Sequence, residues 1–540
     1  MKDISSTGSF INFYLNNYIY VDKTQYIRDL IKLERVFISR PRRFGKSLTL
    51  DTIATLFETG VEPYFKGTWI YDKWTEPTYP VLRLNFLDLD KYSLEHFKQK
   101  LNAIISSFAR DINVKNYEEK VEPEDTIYFL LDELRKEKRQ IVILIDEYDC
   151  QMTANINNET LYKQFQEKIK SFYATIKNKW PIKFLGITGV TRLKDVEIFS
   201  IGSDINDITN DSVYSQMIGF TRDEIKKYYI DYLTLAASYE NKCRVEEVTD
   251  TQIESMLDMM AQNYDGYCFD EFYKKKVFST WSVNKFFQSV VSNKFVYFGE
   301  YWYDNGGLPS ILVNYLKTHE LNIFEYLDKD KFLKVSSDDF KNPTALTTIN
   351  QNVLMCQTGY LTLRSDLNKT STVALGIPNG EIYKALNRLL ANNIFKGNTD
   401  ITDDYGRSLL EVGTVDDIIS LFNSALNSVS YDNYPIVSES SVQNMLKLYL
   451  LGAHQKVLSE VHEAKGRADL VVNTDNRRIV FEFKYAKNET EAKSKLLDAV
   501  EQIKTRDYGN IVPNKTELLR IAAVFNADPK VRAFTEYQKV

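Results

Sequence analysis

Several short stretches of this chain are apolar without interruption, and each predicts a strand buried on both faces. Val36-Phe37-Ile38-Ser39 is one; it runs through Arg40–Ser47 into a helical pattern with apolar positions at Leu48, Leu50, Ile53, Leu56 and Phe57. Gln140-Ile141-Val142-Ile143-Leu144-Ile145 is a second, tipped by Asp146 and Glu147, and Ile182–Val190 is a third, followed by Thr191 and Arg192. From about Thr221 to Ser430 the spacing turns helical. Thr221 stands as the N-cap of one helix and Asp223-Glu224-Ile225 as its first turn, while Ile253, Met256, Leu257 and Met260 form a stripe expected in the core. Near the end, Val442, Met445, Leu446 and Tyr449 predict a helix that starts at Glu439 and closes at Gly452. Two β-branched runs, Gly466–Val472 and Ile479–Lys484, flank the polar turn Asn473–Asn476 and predict a hairpin. A helix containing Ala499–Ile503 and an apolar strand, Leu519–Phe525, complete the C-terminal pattern.

The hairpin places chemistry on one face. The period of two puts Glu482 and Lys484 on one side of the second strand, Phe481 and Phe483 on the other, and Asp469 on the adjoining strand. Two carboxylates on neighbouring strands repel unless a hard divalent cation lies between them, and Mg²⁺ suits one or two carboxylates completed by water. A lysine two residues on would orient or deprotonate the water. The first apolar strand leads into a second phosphate chemistry. Gly45 permits close backbone approach, Lys46 reaches β- and γ-phosphates and Ser47 offers a hydroxyl to Mg²⁺, all at a helix N-terminus. Arg42 and Arg43 are counted with this loop as nucleotide-binding, and Arg40 stands where a P-loop usually begins with glycine. Asp146 at the tip of the next strand would hold the nucleotide's Mg²⁺, Glu147 would polarise the attacking water, and Thr188 would sense the γ-phosphate. Arg192 reads as a surface charge.

The Asp469…Glu482-x-Lys484 pattern resembles the PD-(D/E)XK nuclease superfamily. That likeness implies metal binding by the two acids, help from the lysine in attack on a phosphodiester, and an accessory acid at Glu439. Over most of its length the chain resembles the AAA-ATPase-like family fused to a C-terminal PD-(D/E)XK domain. The residues that carry this are Val21-Asp22-Lys23-Thr24, Arg40-Pro41-Arg42-Arg43-Phe44-Gly45-Lys46-Ser47, Ile145-Asp146-Glu147-Tyr148-Asp149 and Thr188-Gly189-Val190, then Gly219-Phe220-Thr221, Tyr264-Asp265-Gly266-Tyr267, Gln357–Thr362 and Ile377-Pro378-Asn379. The arginine at 40 is part of that family's pattern. Cys268 departs from it, standing where arginine is more usual.

Composition narrows the remaining choices. The length of 540 residues allows two or three domains, and 44% hydrophobic with 26% charged content is globular. The N-terminus is polar and no apolar run reaches the roughly 18 residues of a membrane span, so a cytoplasmic protein without membrane contact is expected. Four scattered cysteines suit reduced thiols, and His96, His319, His454 and His462 show no ligand spacing, so all are expected to be structural or surface residues. A net charge of −6 has the wrong sign for coating nucleic acid, although residues 431–540 carry 17 Lys and Arg against 15 Asp and Glu. Nucleic acid would therefore need a local groove, for which Lys465, Arg467, Arg477, Arg478, Lys484, Lys487 and Lys504 are candidates. Aromatic segments such as Tyr297–Tyr303 are expected in the core rather than stacked on bases.

The expected fold class is α/β: a P-loop ATPase-like parallel-sheet domain (1–220), a mainly helical middle region (221–430) and a restriction-endonuclease-like α/β domain (431–540). The expected function is ATP binding and hydrolysis joined to Mg²⁺-dependent phosphodiester cleavage, with nucleic acid as partner, DNA ahead of RNA, and room for a homo-oligomer. The competing reading is a nucleotide-dependent switch or scaffold whose nuclease fold only binds nucleic acid; a defence or mobile-element effector is compatible with either.

Overall fold

The computed structural model describes residues 1–177, 179–193, 204–302, 310–316, 319, 323–343, 345–395, 405–453, 455–463, 466–508 and 517–540. The expectations for Lys465 and His454 lie outside them, and the side chain of His462 is likewise not described. The chain divides into two compact units. One comprises Met1–His319 with Phe332–Ile382, the other Glu320–Lys331 with Tyr383–Val540.

The first unit is built on an all-parallel sheet. Its strands are β1 (Arg35–Ser39), β2 (Val81–Asn85), β3 (Ile141–Asp146), β4 (Ile182–Gly189) and β5 (Asn206–Asp207), in the order β2-β3-β4-β1-β5. Every residue of β1 and β3 is buried, which explains why both read as unbroken apolar runs. Because β4 lies between β1 and β3, its polar end falls between the loop after β1 and the acids after β3. Four helices follow: Arg222–Tyr228, Ile230–Asn241, Asp250–Tyr264 and Thr280–Asn293. Thr221 caps the first through a reciprocal capping box with Glu224, and the expected stripe Ile253, Met256, Leu257 and Met260 is core. Phe298 and Trp302 are also packed inside, Phe298 stacked on Phe286, whereas Tyr297 is 57% exposed. A small antiparallel sheet, β6 (Leu333–Ser336), β7 (Thr362–Leu363) and β8 (Thr372–Gly376), pairs in the order β6-β8-β7.

The second unit carries the predicted hairpin inside a larger sheet. Strands β9 (Lys456–Glu463), β10 (Gly466–Asn473), β11 (Arg477–Ala486), β12 (Glu517–Asn526) and β13 (Ala533–Lys539) run in the order β13-β12-β11-β10-β9, parallel only between β11 and β12. Strands β9 and β13 were not foreseen. Phe481 and Phe483 stack on each other, Phe483 packs at a tilt against Phe534, and Phe422 of the helix Val415–Asn427 lies against Phe481. Each such buried aromatic side chain contributes about 1.5–3 kcal/mol. Ala499, Val500 and Ile503 of the helix Glu489–Arg506 pack over Val471 and Val480. The helix Glu439–Gly452 forms as expected, with Ala453 rather than Gly452 as its C-cap. All four cysteines are free, and among the described residues no helix is long and apolar enough to cross a membrane.

Candidate functional site

In the second unit the backbone itself opens where the acids stand. The β10–β11 ladder ends at Leu470↔Phe481. One residue further, the Asp469 carboxylate replaces a strand partner by accepting the Phe483 N–H at 2.8 Å. Glu482 lies on the central strand and is 0% exposed. Lys484 Nζ donates to its Oε1 at 2.8 Å and to Glu439 Oε1 at 3.4 Å, while Glu482 Oε2 is buried without a hydrogen-bond partner. Burial, then the neighbouring Asp469 charge, pushes the Glu482 carboxyl from an ordinary 4.5 up to about 7. For Lys484, burial pulls the ammonium down, but Glu482, Glu439 and Asp469 more than offset that, and its pKa is raised. The fold thus brings together four residues that the sequence pattern marks: Asp469, Glu482, Lys484 and Glu439.

Two neighbours escaped it. Gln443, one turn along the helix from Glu439, donates its amide to the Asp469 carbonyl and holds that helix against β10. Arg506, at the end of its helix, donates to the Tyr508 hydroxyl at 3.0 Å and feels the charges of Glu482 and Asp469. The i,i+4 spacing of Glu439 and Gln443 was the available signal for the first. Of the groove candidates, Arg477 is removed: it is buried, paired with Glu517 at 2.9 Å and bonded to the Gly413 carbonyl at 2.8 Å. Arg467, Lys487 and Lys504 are exposed.

In the first unit the loop between β1 and the helix Lys46–Thr59 forms the floor of a cavity of about 640 Å³, within the size range of small-molecule sites. Arg42, Arg43, Gly45, Lys46, Ser47 and Glu147 all line it. Gly45 caps the helix at φ +105°, a conformation that glycine adopts without strain. Lys46 is buried, with Nζ 3.1 Å from the Arg40 carbonyl and 3.3 Å from Glu147 Oε1. Ser47 Oγ donates to Asp146 Oδ2 at 2.5 Å and Thr188 Oγ1 donates to Asp146 Oδ1, so a helix N-terminus and the ends of two strands converge on one carboxylate. Glu147 itself takes φ +52°, which bends its side chain back toward Lys46.

The loop is clamped from outside the sheet. Arg40 is 1% exposed; it bonds the Ser39 carbonyl at 2.9 Å and the Thr209 carbonyl at 2.5 Å, and its guanidinium lies 4.1 Å over the Phe269 ring. Burial pulls its pKa down to about 9. Phe44 meets Tyr267 edge-on at 4.7 Å, Arg43 lies 3.9 Å over Trp281, and Thr280 Oγ1 donates to the Arg43 carbonyl at 2.9 Å. At Gly359 (φ +95°) a Cβ would stand 2.8 Å from Pro41 Cβ. Tyr267, Phe269, Trp281 and Gly359 therefore shape the nucleotide loop from a stretch that sequence reading left without chemistry. Arg192 is half-buried and ion-paired with Asp207, not a surface charge. Cys268 donates its amide to Thr362 Oγ1 at 2.8 Å, and burial pushes its thiol up to about 11.

Comparison with known proteins finds a family model over the segment that carries each site. Residues 5–199 match the family described as predicted AAA-ATPase, and residues 437–534 match the PD-(D/E)XK nuclease superfamily. An uncharacterized protein in the vnfD 5′ region of Azotobacter chroococcum mcd 1 is 25% identical over 532 residues, covering 95% of this chain and 94% of its own. Among solved structures, Cdc6p from Pyrobaculum aerophilum is 11% identical, covering 68% of this chain and 93% of its own, with a TM-score of 0.24. The Aeropyrum pernix Orc1 protein in complex with DNA is also 11% identical, covering 69% and 95%, with a TM-score of 0.27. At those scores neither structure transfers anything to this chain.

Proposed function

From a chain that joins an AAA-ATPase-like segment to a PD-(D/E)XK nuclease-superfamily segment, we propose an ATP-hydrolysing, Mg²⁺-dependent nuclease that cleaves phosphodiester bonds in nucleic acid, DNA ahead of RNA. The observation that carries this reading is the bare, buried Glu482 Oε2 beside Asp469, with Lys484 bridging to Glu439. Two carboxylates without a third His, Cys, Asp or Glu ligand among the described residues fit a hard cation that keeps its waters. Asp469 and Glu482 would hold Mg²⁺, which supplies charge neutralisation and Lewis-acid polarisation of the phosphate. Lys484, anchored by two carboxylates, has one N–H left, which would orient the attacking water. Glu439 holds Lys484 in place from the helix, and Arg506 faces the same acids from the opposite end of its own.

At the nucleotide site Lys46 and Glu147 neutralise each other at 3.3 Å. The β- and γ-phosphates of ATP compete for Lys46, so binding frees Glu147 to polarise water; Thr188 keeps Asp146 oriented, and Ser47 with Asp146 would complete the shell of the nucleotide's Mg²⁺. Arg42 and Arg43 add positive charge at the same cavity. Free thiols fit a cytoplasmic setting. Incubating the full chain with DNA and RNA substrates, with and without Mg²⁺ and ATP, tests the proposal. Cleavage that requires Mg²⁺ and falls at least a hundredfold in Glu482→Gln is expected. A chain that cuts nothing under any metal or nucleotide condition would leave the nucleotide-dependent switch instead.

A further inference from the structure

Residues 267–277 of the first unit form a closed hairpin loop: Tyr267 and Val277 pair across its base, and the Val277 amide donates to the Tyr267 carbonyl at 2.9 Å. The base is the part that clamps the nucleotide loop, through Tyr267 on Phe44 and Phe269 beneath Arg40. The tip reads Glu271-Phe272-Tyr273-Lys274-Lys275-Lys276. Of the loop's acids, Asp270 just before the tip is withdrawn from the surface and Glu271 is half-exposed. Asp270 is fully buried and ties the turn from inside, accepting the amides of Phe272, Lys274 and Lys275 at 3.0 Å each, while Glu271 accepts from Asn368 Nδ2 at 3.1 Å. Lys275 reaches the Ser212 carbonyl at 2.7 Å.

The exposed residues of the tip, Phe272, Lys274 and Lys276, are aromatic and basic. Phe272 is 42% exposed, Lys274 lies 5.7 Å from its ring centroid, and Lys276 lies 5.3 Å from that of Tyr273. Lys274 and Lys276 are exposed, and neither forms an ion pair with a carboxylate among the described residues. Tyr273 sits at φ +55°, an expensive conformation for a tyrosine, held by the Asp270 bonds on either side. A turn tied by a buried carboxylate, with Tyr273 in a strained conformation, thus presents two adjacent rings, each faced by an ammonium group.

We propose that this tip binds single-stranded nucleic acid on the ATPase unit, at a site separate from the Asp469 and Glu482 centre. The rings stack on bases, and Lys274 and Lys276 meet the flanking phosphates. Charge sign and the pairing of each ring with a cation favour a polyanion with flat faces over a lipid or an apolar helix. Since the same hairpin holds Phe44 and Arg40, strand binding at the tip bears directly on the shape of the nucleotide loop. The assignment does not depend on cleavage, and it is tested without it.

Fluorescence anisotropy of the full chain with dT and rU oligomers of about 15 nucleotides, in EDTA, gives the readout. The double variant Lys274→Glu/Lys276→Glu is expected to bind at least tenfold more weakly and with a salt slope smaller by about 1–2, and Phe272→Ala several-fold more weakly with the slope unchanged. ATP affinity, unchanged within twofold without the oligomer, verifies that each variant is folded. A 5-bromouracil oligomer is expected to photo-crosslink at Phe272 or Tyr273. Wild-type affinity in both variants, or adducts confined to residues 437–534, overturns the proposal; so does polyglutamate that competes equally well while Phe272→Ala has no effect, which would assign the tip to an acidic polypeptide.

Discussion

Glu482 shows what the second unit asks of a single side chain. Its carboxyl is fully buried, one oxygen on Lys484 and the other unpartnered, and burial with the Asp469 charge raises it to about 7. A raised carboxyl pKa means that the native state binds the proton more tightly than the unfolded chain. Between the ordinary 4.5 and about 7 the unfolded state therefore carries fewer protons, and native stability is lost as pH rises through that window, by at most ~3.5 kcal/mol at about 1.4 per unit. Metal-free protein is expected to melt at lower temperature at pH 8 than at pH 5.5 in the transition of this unit. Glu482→Gln should flatten that dependence, and Mg²⁺ should restore stability at pH 8 only when Glu482 is present. Scanning calorimetry in EDTA and in Mg²⁺ decides it: equal pH dependence in the two proteins would mean that Glu482 is not the strained group.

At the scale of elements, what was legible was local. The run Val36–Ser39, the Gly45-Lys46-Ser47 turn, the acid-tipped strand and the hairpin each declare themselves within a dozen residues, since turn residues and apolar runs are short-range signals. Burial of Glu482 was not legible, because Phe-Glu-Phe-Lys alternates as an edge strand would. β11 becomes central only by pairing with β12, more than thirty residues on. The clamp on the nucleotide loop was hidden for the same reason: Gly359 and Pro41 are neighbours only in the folded chain. Gly359→Ala puts a methyl 2.8 Å from Pro41 Cβ at φ +95° and so strains a loop three hundred residues away. ATP affinity measured by titration calorimetry should fall about tenfold, equivalent to ~1.4 kcal/mol, while the melting of the second unit stays unchanged. Wild-type affinity in this variant would show that the clamp does not shape the nucleotide site.

For the whole molecule, two phosphate chemistries on one chain have value together only if the state of one biases the other. A nucleotide can shift such an equilibrium only by its differential affinity for the two states, and the binding linkage is reciprocal. The hairpin 267–277 supplies a physical route on the first unit, since its base holds Phe44 and its tip is the surface we assign to nucleic acid. In the proposed mechanism the Lys46–Glu147 pair would supply the two states, closed at 3.3 Å without nucleotide and opened when phosphates take Lys46. Lys46→Ala is therefore expected to abolish ATP binding and fix the nuclease rate at its nucleotide-free value, whereas Glu147→Gln should bind ATP, fail to hydrolyse it and hold the nuclease at its ATP-bound rate. In an Asp469→Asn background that cannot cleave, a single-stranded oligomer should change ATP affinity by the same factor by which ATP changes oligomer affinity, 5-fold or more for a coupling of about 1 kcal/mol. Identical ATP affinity with and without the oligomer, with a cleavage rate indifferent to ATP, ADP and Lys46→Ala, would mean that the ATPase and nuclease segments share a chain but not a mechanism.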